Sequence, residues 1–157
     1  MKKALVFFTF LIMTVNAFAQ DSKYIYNKYS DEKGVSAVYI SPAIFKMIGR
    51  IPEIDTGNSS QDISGVVRNL KGFYLISTEN PELVESIKAD VKKFIGNGKF
   101  ELMMEAKDDG MATRFYTIGN DEVINSFVMS AYDEGECTFI CMDGVIDRAE
   151  LERLLTE

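Results

Sequence analysis

The chain of 157 residues contains no histidine and no tryptophan, and it has only two cysteines and three prolines. Without an imidazole it cannot form a Ser-His-Asp or Cys-His triad, a histidine general base, or a zinc site that contains histidine. The catalytic groups that remain are pairs of carboxylates and a lysine that acts as base or nucleophile. The sequence therefore leaves a short list of possible enzyme mechanisms.

The two cysteines lie in the run Cys137-Thr-Phe-Ile-Cys141, whose β-branched and aromatic content predicts a strand. In a strand the two Cα atoms would lie about 13 Å apart. A disulfide requires a separation below about 7 Å. We therefore expect two buried thiols that pack as small core side chains, and no disulfide.

The first nineteen residues have the pattern of a secretory signal peptide, with two lysines, an apolar run from Ala4 to Val15, and Ala17-Phe18-Ala19 as an A-x-A cleavage site. The apolar run is shorter than the roughly 20 residues that span a bilayer. We expect cleavage before Gln20, a periplasmic or secreted mature chain, and no transmembrane segment after cleavage.

The chain is acidic, with 24 Asp and Glu against 17 Lys and Arg and a net charge of −7. Removal of residues 1–19 would take away two lysines and change the net charge to −9. Binding to nucleic acid requires clustered basic residues, so no nucleic acid partner is expected. Residues 20–157 are numerous enough to form a single domain with its own core.

Hydrophobic periodicity and turn residues predict helices and strands mixed in the first part of the chain and successive hairpins from residue 99 onward. The predicted helices are a short one that ends at Gly34, one from Pro42 to about Ile48, one between Ser59 and Lys71, one capped by Asn80 that ends at Gly96, and one capped by Asp147. The predicted strands are Val35–Ile40, Gly72–Ser77, Phe100–Lys107, Met111–Ile118, Glu122–Tyr132 and Glu136–Met142. This pattern indicates an α+β protein with a largely antiparallel sheet, a C-terminal four-strand meander, and helices covering one face.

Asp55-Thr56-Gly57 is the D-T-G triplet of aspartic proteases, in which two aspartates share a proton and no histidine is needed. Pro52 and Glu53 interrupt the strand that should precede the triplet, and no second D-T-G is present, so a homodimer would have to supply it. A surface loop over residues 50–61 explains the Ser, Gly and Asn content more simply. Asp55 remains the candidate of an alternative, protease-like function.

Glu101 and Glu105 alternate onto one face of a predicted strand, about 13 Å apart. That separation exceeds the roughly 6.5–9.5 Å of the carboxylate pair in an inverting glycosidase. We expect Glu105 to face Arg114 or Thr113 across a hairpin on a solvated face, most simply as an ion pair with the arginine. A carboxylate-dependent, glycosidase-like hydrolase using Glu101 or Glu105 remains the alternative.

Aspartates cluster in the predicted hairpin turns, but no calcium-loop motif accompanies them. Turn chemistry accounts for them, and we expect no metal and no cofactor.

A tyrosine-lined groove would suit a peptide or a sugar, whereas tyrosines packed at a sheet rim are the simpler interpretation. The tyrosines considered are Tyr24, Tyr26, Tyr29, Tyr74, Tyr116 and Tyr132.

Four segments, Tyr29–Ser41, Lys71–Glu79, Phe100–Gly110 and Met142–Asp147, together with the signal peptide, resemble the DUF4252 family. These are small exported proteins of Bacteroidetes bacteria whose function is not assigned. The resemblance implies an envelope location and an α+β fold, and it carries over no active-site residue. Many members look like lipoproteins, whereas this chain lacks the lipobox cysteine. Members are encoded beside sigma and anti-sigma factors, which implies an accessory role in envelope signalling.

The function that these observations favour is a non-enzymatic binding or envelope-signalling accessory module, whose exposed sheet face or sheet edge engages a protein or peptide partner. The missing histidine, the absent nucleophile motif and the acidic charge support it. The alternative is an envelope hydrolase that uses Asp55, Glu101 or Glu105. The oligomeric state is left open.

Overall fold

A computed structural model describes residues 22–48, 54–55, 60–61 and 69–150. Its helices are α1 (Ser22–Tyr29), α2 (Pro42–Ile48) and α3 (Pro81–Asn97), and a further helix begins at Arg148. Its strands are β1 (Val35–Ile40), β2 (Ile54–Asp55), β3 (Ser60–Gln61), β4 (Leu70–Thr78), β5 (Glu101–Asp108), β6 (Met111–Gly119), β7 (Val123–Tyr132) and β8 (Cys137–Asp147). This content confirms the α+β class.

Six of the strands form one sheet in the order β1-β4-β8-β7-β6-β5, and every neighbouring pair is antiparallel. The last four strands along the chain are consecutive neighbours, which confirms the predicted meander. Between β5 and β6, Asp109 (φ 45°) and Gly110 (φ 90°) form the turn. Two successive positive φ angles are typical of a two-residue hairpin turn, and Gly adopts them without a steric cost.

Helices α1 and α3 pack on one side of this sheet, which we call the helix face. Helix α3 begins where the Asn80 side chain accepts a hydrogen bond from the Glu82 amide at 3.1 Å, with a proline at its first position. Its apolar stripe is buried against alternate residues of the central strands, so most of the apolar core lies here. The buried members are Ile25, Tyr29, Tyr74, Ile76, Val84, Ile87, Val91, Phe94, Val128, Cys137, Phe139 and Cys141.

A smaller core lies at one end of the opposite side of the sheet, which we call the second face. It consists of Phe45 from α2 with Leu70, Ile124 and Ile146, all buried. The strand registers shift next to Leu70 and Ile124. An extra residue in one strand turns the following side chains to the other face of the sheet. These bulges therefore direct three strand ends away from α3 and toward α2.

Three predicted bounds of helices and strands are wrong within the described residues, and the first is that of α1, which ends at Tyr29 and not at Gly34. The helix predicted between Ser59 and Lys71 does not hold at either end, because Ser60–Gln61 pairs with Ile54–Asp55 and β4 already begins at Leu70. The strand predicted to end at Met142 continues to Asp147, because β8 keeps pairing with β4 as far as Gly144 and with β7 as far as Asp147.

Other predictions are confirmed. Asp147 caps the last helix by accepting hydrogen bonds from the amides of Ala149 (2.8 Å) and Glu150 (3.1 Å). The central part of the predicted Ser59–Lys71 helix and the whole predicted signal peptide lie outside the described residues.

Candidate binding surfaces

The second face carries a line of apolar side chains that crosses all six strands. We call it the apolar row, and the cross-strand pairing defines its members in order from edge to edge as Val38, Leu75, Ile140, Met129, Phe115 and Met104. Both ends are exposed, Val38 at 44% and Met104 at 52%. The four central side chains are half-buried. Within the described part of the chain, the row is therefore exposed at both ends and partly accessible between them.

The rows on either side of the apolar row differ in character. Toward α2 lie Ile40, Phe73 and Phe127, which pack against the smaller core. On the other side the side chains are small, and Ser77 and Thr138 share a hydrogen bond of 3.0 Å. Neither this outer row nor the apolar row contains a charged residue. The outer row comprises Ser36, Ser77, Thr138, Ala131, Thr113 and Ala106.

Strand β5 forms one edge of the sheet, and all eight of its residues are exposed. Leu102 and Met103, each 51% exposed, extend the apolar surface from Met104 around this edge. A register shift between Leu102 and Met104 and several charged side chains interrupt the edge. Such features discourage indiscriminate pairing of edge strands, so the second face offers the more regular binding surface.

The register shift in β5 also corrects the prediction that Glu101 and Glu105 share one face. Glu101 lies opposite Thr117 and Glu105 opposite Arg114, and these partners point to opposite sides of the regular strand β6. The extra residue near Met103 inverts the alternation between the two glutamates. The structure therefore does not bring them together as a carboxylate pair.

Glu105 forms the cross-strand ion pair that the sequence predicts. Its carboxylate accepts a hydrogen bond from Arg114 Nε at 2.5 Å and lies 2.8 Å from Lys107 Nζ. Hydrogen bonds from Lys107 and Arg114 lower the pKa of Glu105 below its usual value. A general acid would need a raised pKa.

Asp55 lies in β2, where it pairs with Ser60 of β3. These two strands form a separate two-stranded sheet, so Asp55 is not part of the six-stranded sheet.

The helix face contains a groove between α3 and β6, with a volume of about 510 Å³. We call it the α3–β6 groove. Lys88 Nζ lies 5.6 Å and Arg114 Cζ 5.9 Å from the centre of the Tyr132 ring, distances at which a cation is attracted to an aromatic face. Its lining residues are Lys88, Lys92, Ile95, Gly96, Arg114, Tyr116 and Tyr132.

The remaining tyrosines occupy other places. Tyr26, Tyr39 and Tyr74 form a cluster at the β1 edge, where the rings of Tyr39 and Tyr74 stack with centres 5.3 Å apart. Two of the six tyrosines considered in the sequence therefore line a groove, while Tyr26 and Tyr74 pack at a sheet rim.

Tyr29 takes part in a polar contact between α1 and α3. Asp90 Oδ2 accepts hydrogen bonds from Lys28 Nζ at 2.6 Å and from the Tyr29 hydroxyl at 2.7 Å. Burial alone would raise the pKa of Asp90, but these two donors lower it below its usual value. Burial, together with the Asp90 charge, raises the pKa of Tyr29 to about 12. This arrangement joins two helices and leaves Asp90 stably ionised.

The two cysteines are free and buried on β8, as the sequence predicts. Burial raises the pKa of both thiols to about 12. Cys141 lies near Asp143, whose carboxylate accepts hydrogen bonds from Ser22 (2.6 Å) and Ser126 (2.8 Å). A protonated thiol beside a carboxylate is a poor nucleophile. The hydrogen bonds of this polar cluster therefore connect α1, β7 and β8, and they do not activate Cys141.

Within the part of the chain that the structure describes, no three Cys, Asp or Glu side chains are grouped so that they could hold a metal ion. Among the helices of that same part, none combines the length and the apolar character that a bilayer crossing requires.

Over the residues that the structure describes, the fold and these surfaces define an α+β protein with α1 and α3 on one face of its sheet and an apolar row on the other. The chain belongs to the DUF4252 family, a domain of unknown function, which matches residues 29–154. No curated protein and no solved structure matches the chain.

Sequence reasoning identified the tyrosines and Glu105 but missed the apolar row and the lysines of the groove. Phe73 and Leu75 were visible as apolar residues alternating with Tyr74 and Ile76, and this pattern predicts a strand buried on both faces. Lys88 and Lys92 are spaced four residues apart along one side of α3. That spacing places both lysines on the same side of the helix. The sequence did not indicate which strand lies opposite that side.

Proposed function

We propose that the protein is a non-enzymatic, protein-binding module of the cell envelope, and that its apolar row packs against an apolar surface of a partner protein. The observation that carries this proposal is the uncharged line of Val38, Leu75, Ile140, Met129, Phe115 and Met104 across six strands. Five strand spacings give it a length of about 24 Å. An accessible apolar surface of this extent marks an interaction site more often than an ordinary surface.

The charge of the chain supports a different protein, and not a second copy, as the partner. The whole chain carries a net charge of −7, so two copies repel each other at long range. The apolar row itself provides no charge to offset this repulsion. A neutral or basic partner would approach without that penalty, and it could also contact Leu102 and Met103 at the adjoining edge.

The envelope location in this proposal rests on the signal-peptide pattern of the first nineteen residues. The resemblance to exported proteins encoded beside sigma and anti-sigma factors supports a role as an accessory in envelope signalling.

Photo-crosslinking in cells tests the proposal. A benzoylphenylalanine placed at Phe115 is expected to give one discrete adduct with another protein on irradiation, and Met129→Lys in the same chain is expected to abolish it. The matched control places the photoreactive residue at Tyr24 of α1, which is 42% exposed outside the second face. That position is expected to give no such adduct.

Four results would contradict the proposal, and the first three are no adduct from position 115, an adduct that persists with Met129→Lys, and the same adduct from position 24. An adduct with twice the mass of the chain would also contradict it, because the partner would then be a second copy.

A further inference from the structure

The α3–β6 groove lies on the opposite side of the sheet from the apolar row, so it is independent of the proposed protein interface. Its helical wall consists of Lys88, Lys92, Ile95 and Gly96. Its floor and far wall are formed by side chains of neighbouring strands, Arg114 and Tyr116 from β6 and Tyr132 from β7. A volume of about 510 Å³ lies within the range of pockets that hold small molecules.

The charge around the groove is opposite in sign to that of the whole chain. Lys88, Lys92 and Arg114 line the groove. Lys107 is not among the lining residues, but its Nζ lies 2.8 Å from the carboxylate of Glu105, which also binds Arg114. Two of the lining cations are paired, Arg114 with Glu105 and Lys88 with Glu85, whose carboxylate lies 3.4 Å from Lys88 Nζ.

Lys92 has no ion-pair partner among the described residues. The described lining thus contains three cations and no carboxylate, in a chain whose net charge is −7. A positively charged concave surface concentrates anions.

The C-terminal turn of α3 disfavours a doubly charged anion more strongly than a singly charged one. The last turn of α3, with Ile95 and Gly96, lines the groove. The carbonyl groups at a helix C-terminus carry partial negative charge, whereas phosphate groups are typically bound at helix N-termini. Arg114 also has its Nε engaged by Glu105 at 2.5 Å. A carboxylate, which carries one charge, fits this environment better than a phosphate dianion.

The aromatic residues indicate what is attached to that carboxylate. Tyr116 and Tyr132 provide flat, largely apolar surfaces with a polar hydroxyl at one end. Such surfaces bind rings, both aromatic rings and sugar rings. We propose that the α3–β6 groove binds a small carboxylate that carries a ring, with the acid group held by Lys88 and Lys92 and the ring resting on the two tyrosines.

Calorimetric titration of the purified protein with phenylacetate and with glucuronate tests this inference and distinguishes the two kinds of ring. The uncharged counterparts, phenylacetamide and glucose, are the ligand controls. At least one acid is expected to bind with a Kd of about 1 mM or lower, as ligands of this size commonly do in a fitted site. Its amide or its neutral sugar is expected to bind at least about tenfold more weakly.

Matched lysine variants locate the site. Lys92→Gln is expected to weaken binding of the acid about two- to fivefold, the range for one solvent-exposed ion pair. Lys88→Gln with Lys92→Gln is expected to weaken it about tenfold. Lys93→Gln removes the same charge from the next position of α3, outside the groove, and is expected to leave the Kd within about twofold. All three lysines are at least partly exposed, so equal melting temperatures are expected for the variants.

Two results would overturn the inference. One is that neither acid binds more tightly than its uncharged counterpart. The other is that Lys93→Gln weakens binding as much as Lys92→Gln, because the effect would then come from the overall charge and not from the groove. Loss of binding to the apolar-row partner would not affect either result, since that surface lies on the other face.

Discussion

The two faces of the sheet are built from the same strands, yet one is a closed core and the other is an accessible surface. Phe139 and Ile140 are neighbours on β8: Phe139 is fully buried under α3, and Ile140 is half-buried in the apolar row. The helix face also contains polar contacts, since Asp143 joins α1 to the sheet and Asp90 joins α1 to α3. The apolar row has no such contacts.

The difference indicates that apolar side chains on the two faces contribute unequally to the stability of the fold. On the helix face they supply the burial that stabilises the fold, at about 25 cal/mol for each Å² removed from water. On the second face, Phe45 of α2 packs at one end, and among the described residues Val38 and Met104 stay exposed while the four side chains between them are half-buried. The exposed part of the row contributes less to stability than the helix-face core does, and in our proposal it serves to bind a partner.

The largest contrast is expected between truncations of the neighbouring residues on β8. Phe139→Ala should lower the free energy of unfolding by about 3–5 kcal/mol, because it leaves a cavity in a packed core. Ile140→Ala should lower it by about 1 kcal/mol, because only part of its surface is buried. Urea denaturation followed by circular dichroism measures both. Equal losses would mean that the second face is packed as a core, and the comparison would fail.

A smaller effect is expected at the polar contact between α1 and α3. Asp90→Asn should lower the free energy of unfolding by about 1–2 kcal/mol at neutral pH, since a hydrogen bond to a charged acceptor is lost and Lys28 is partly exposed to solvent. The folded-state pKa of Asp90 is lowered. Its stabilising contribution is therefore present above about pH 4, the usual pKa of an unfolded aspartate, and is lost as the pH falls through the folded pKa.

Thermal unfolding of both proteins between pH 7 and pH 2 checks this dependence. The difference in stability between the wild-type protein and Asp90→Asn should stay constant down to about pH 5 and then shrink. A difference that does not change with pH would show that the loss arises from packing and not from the charge of Asp90.

The sequence predicted those parts of the fold that depend on local signals. Asn80-Pro81 marked the start of α3, Asp109-Gly110 the first hairpin of the meander, and Asp147 the start of the last helix, because caps and turns are encoded by adjacent residues. Register shifts are not encoded in this way. The bulge in β5 places Glu101 and Glu105 on opposite faces of the sheet, and no residue pattern within that strand predicted it.

The candidate surfaces were harder to predict than the fold, because each depends on residues distant in the chain. The apolar row requires the order of six strands, and that order places β8 between β4 and β7. The α3–β6 groove requires Lys88 and Arg114 to lie near the same tyrosine, Tyr132. In both cases the residue types were visible in the sequence, and only the tertiary arrangement brought them together.

Methionine oxidation tests the central claim most directly, because the apolar row contains Met104 and Met129, while Met47 on α2 is 59% exposed outside the row. Hydrogen peroxide converts accessible methionine to the sulfoxide, and mass spectrometry measures the rate at each position. If a partner protein covers the row, Met104 and Met129 should oxidise severalfold more slowly in intact cells than in the purified protein, with the rates normalised to that of Met47. Equal normalised rates in cells and in the purified protein would contradict the claim that the second face binds a partner.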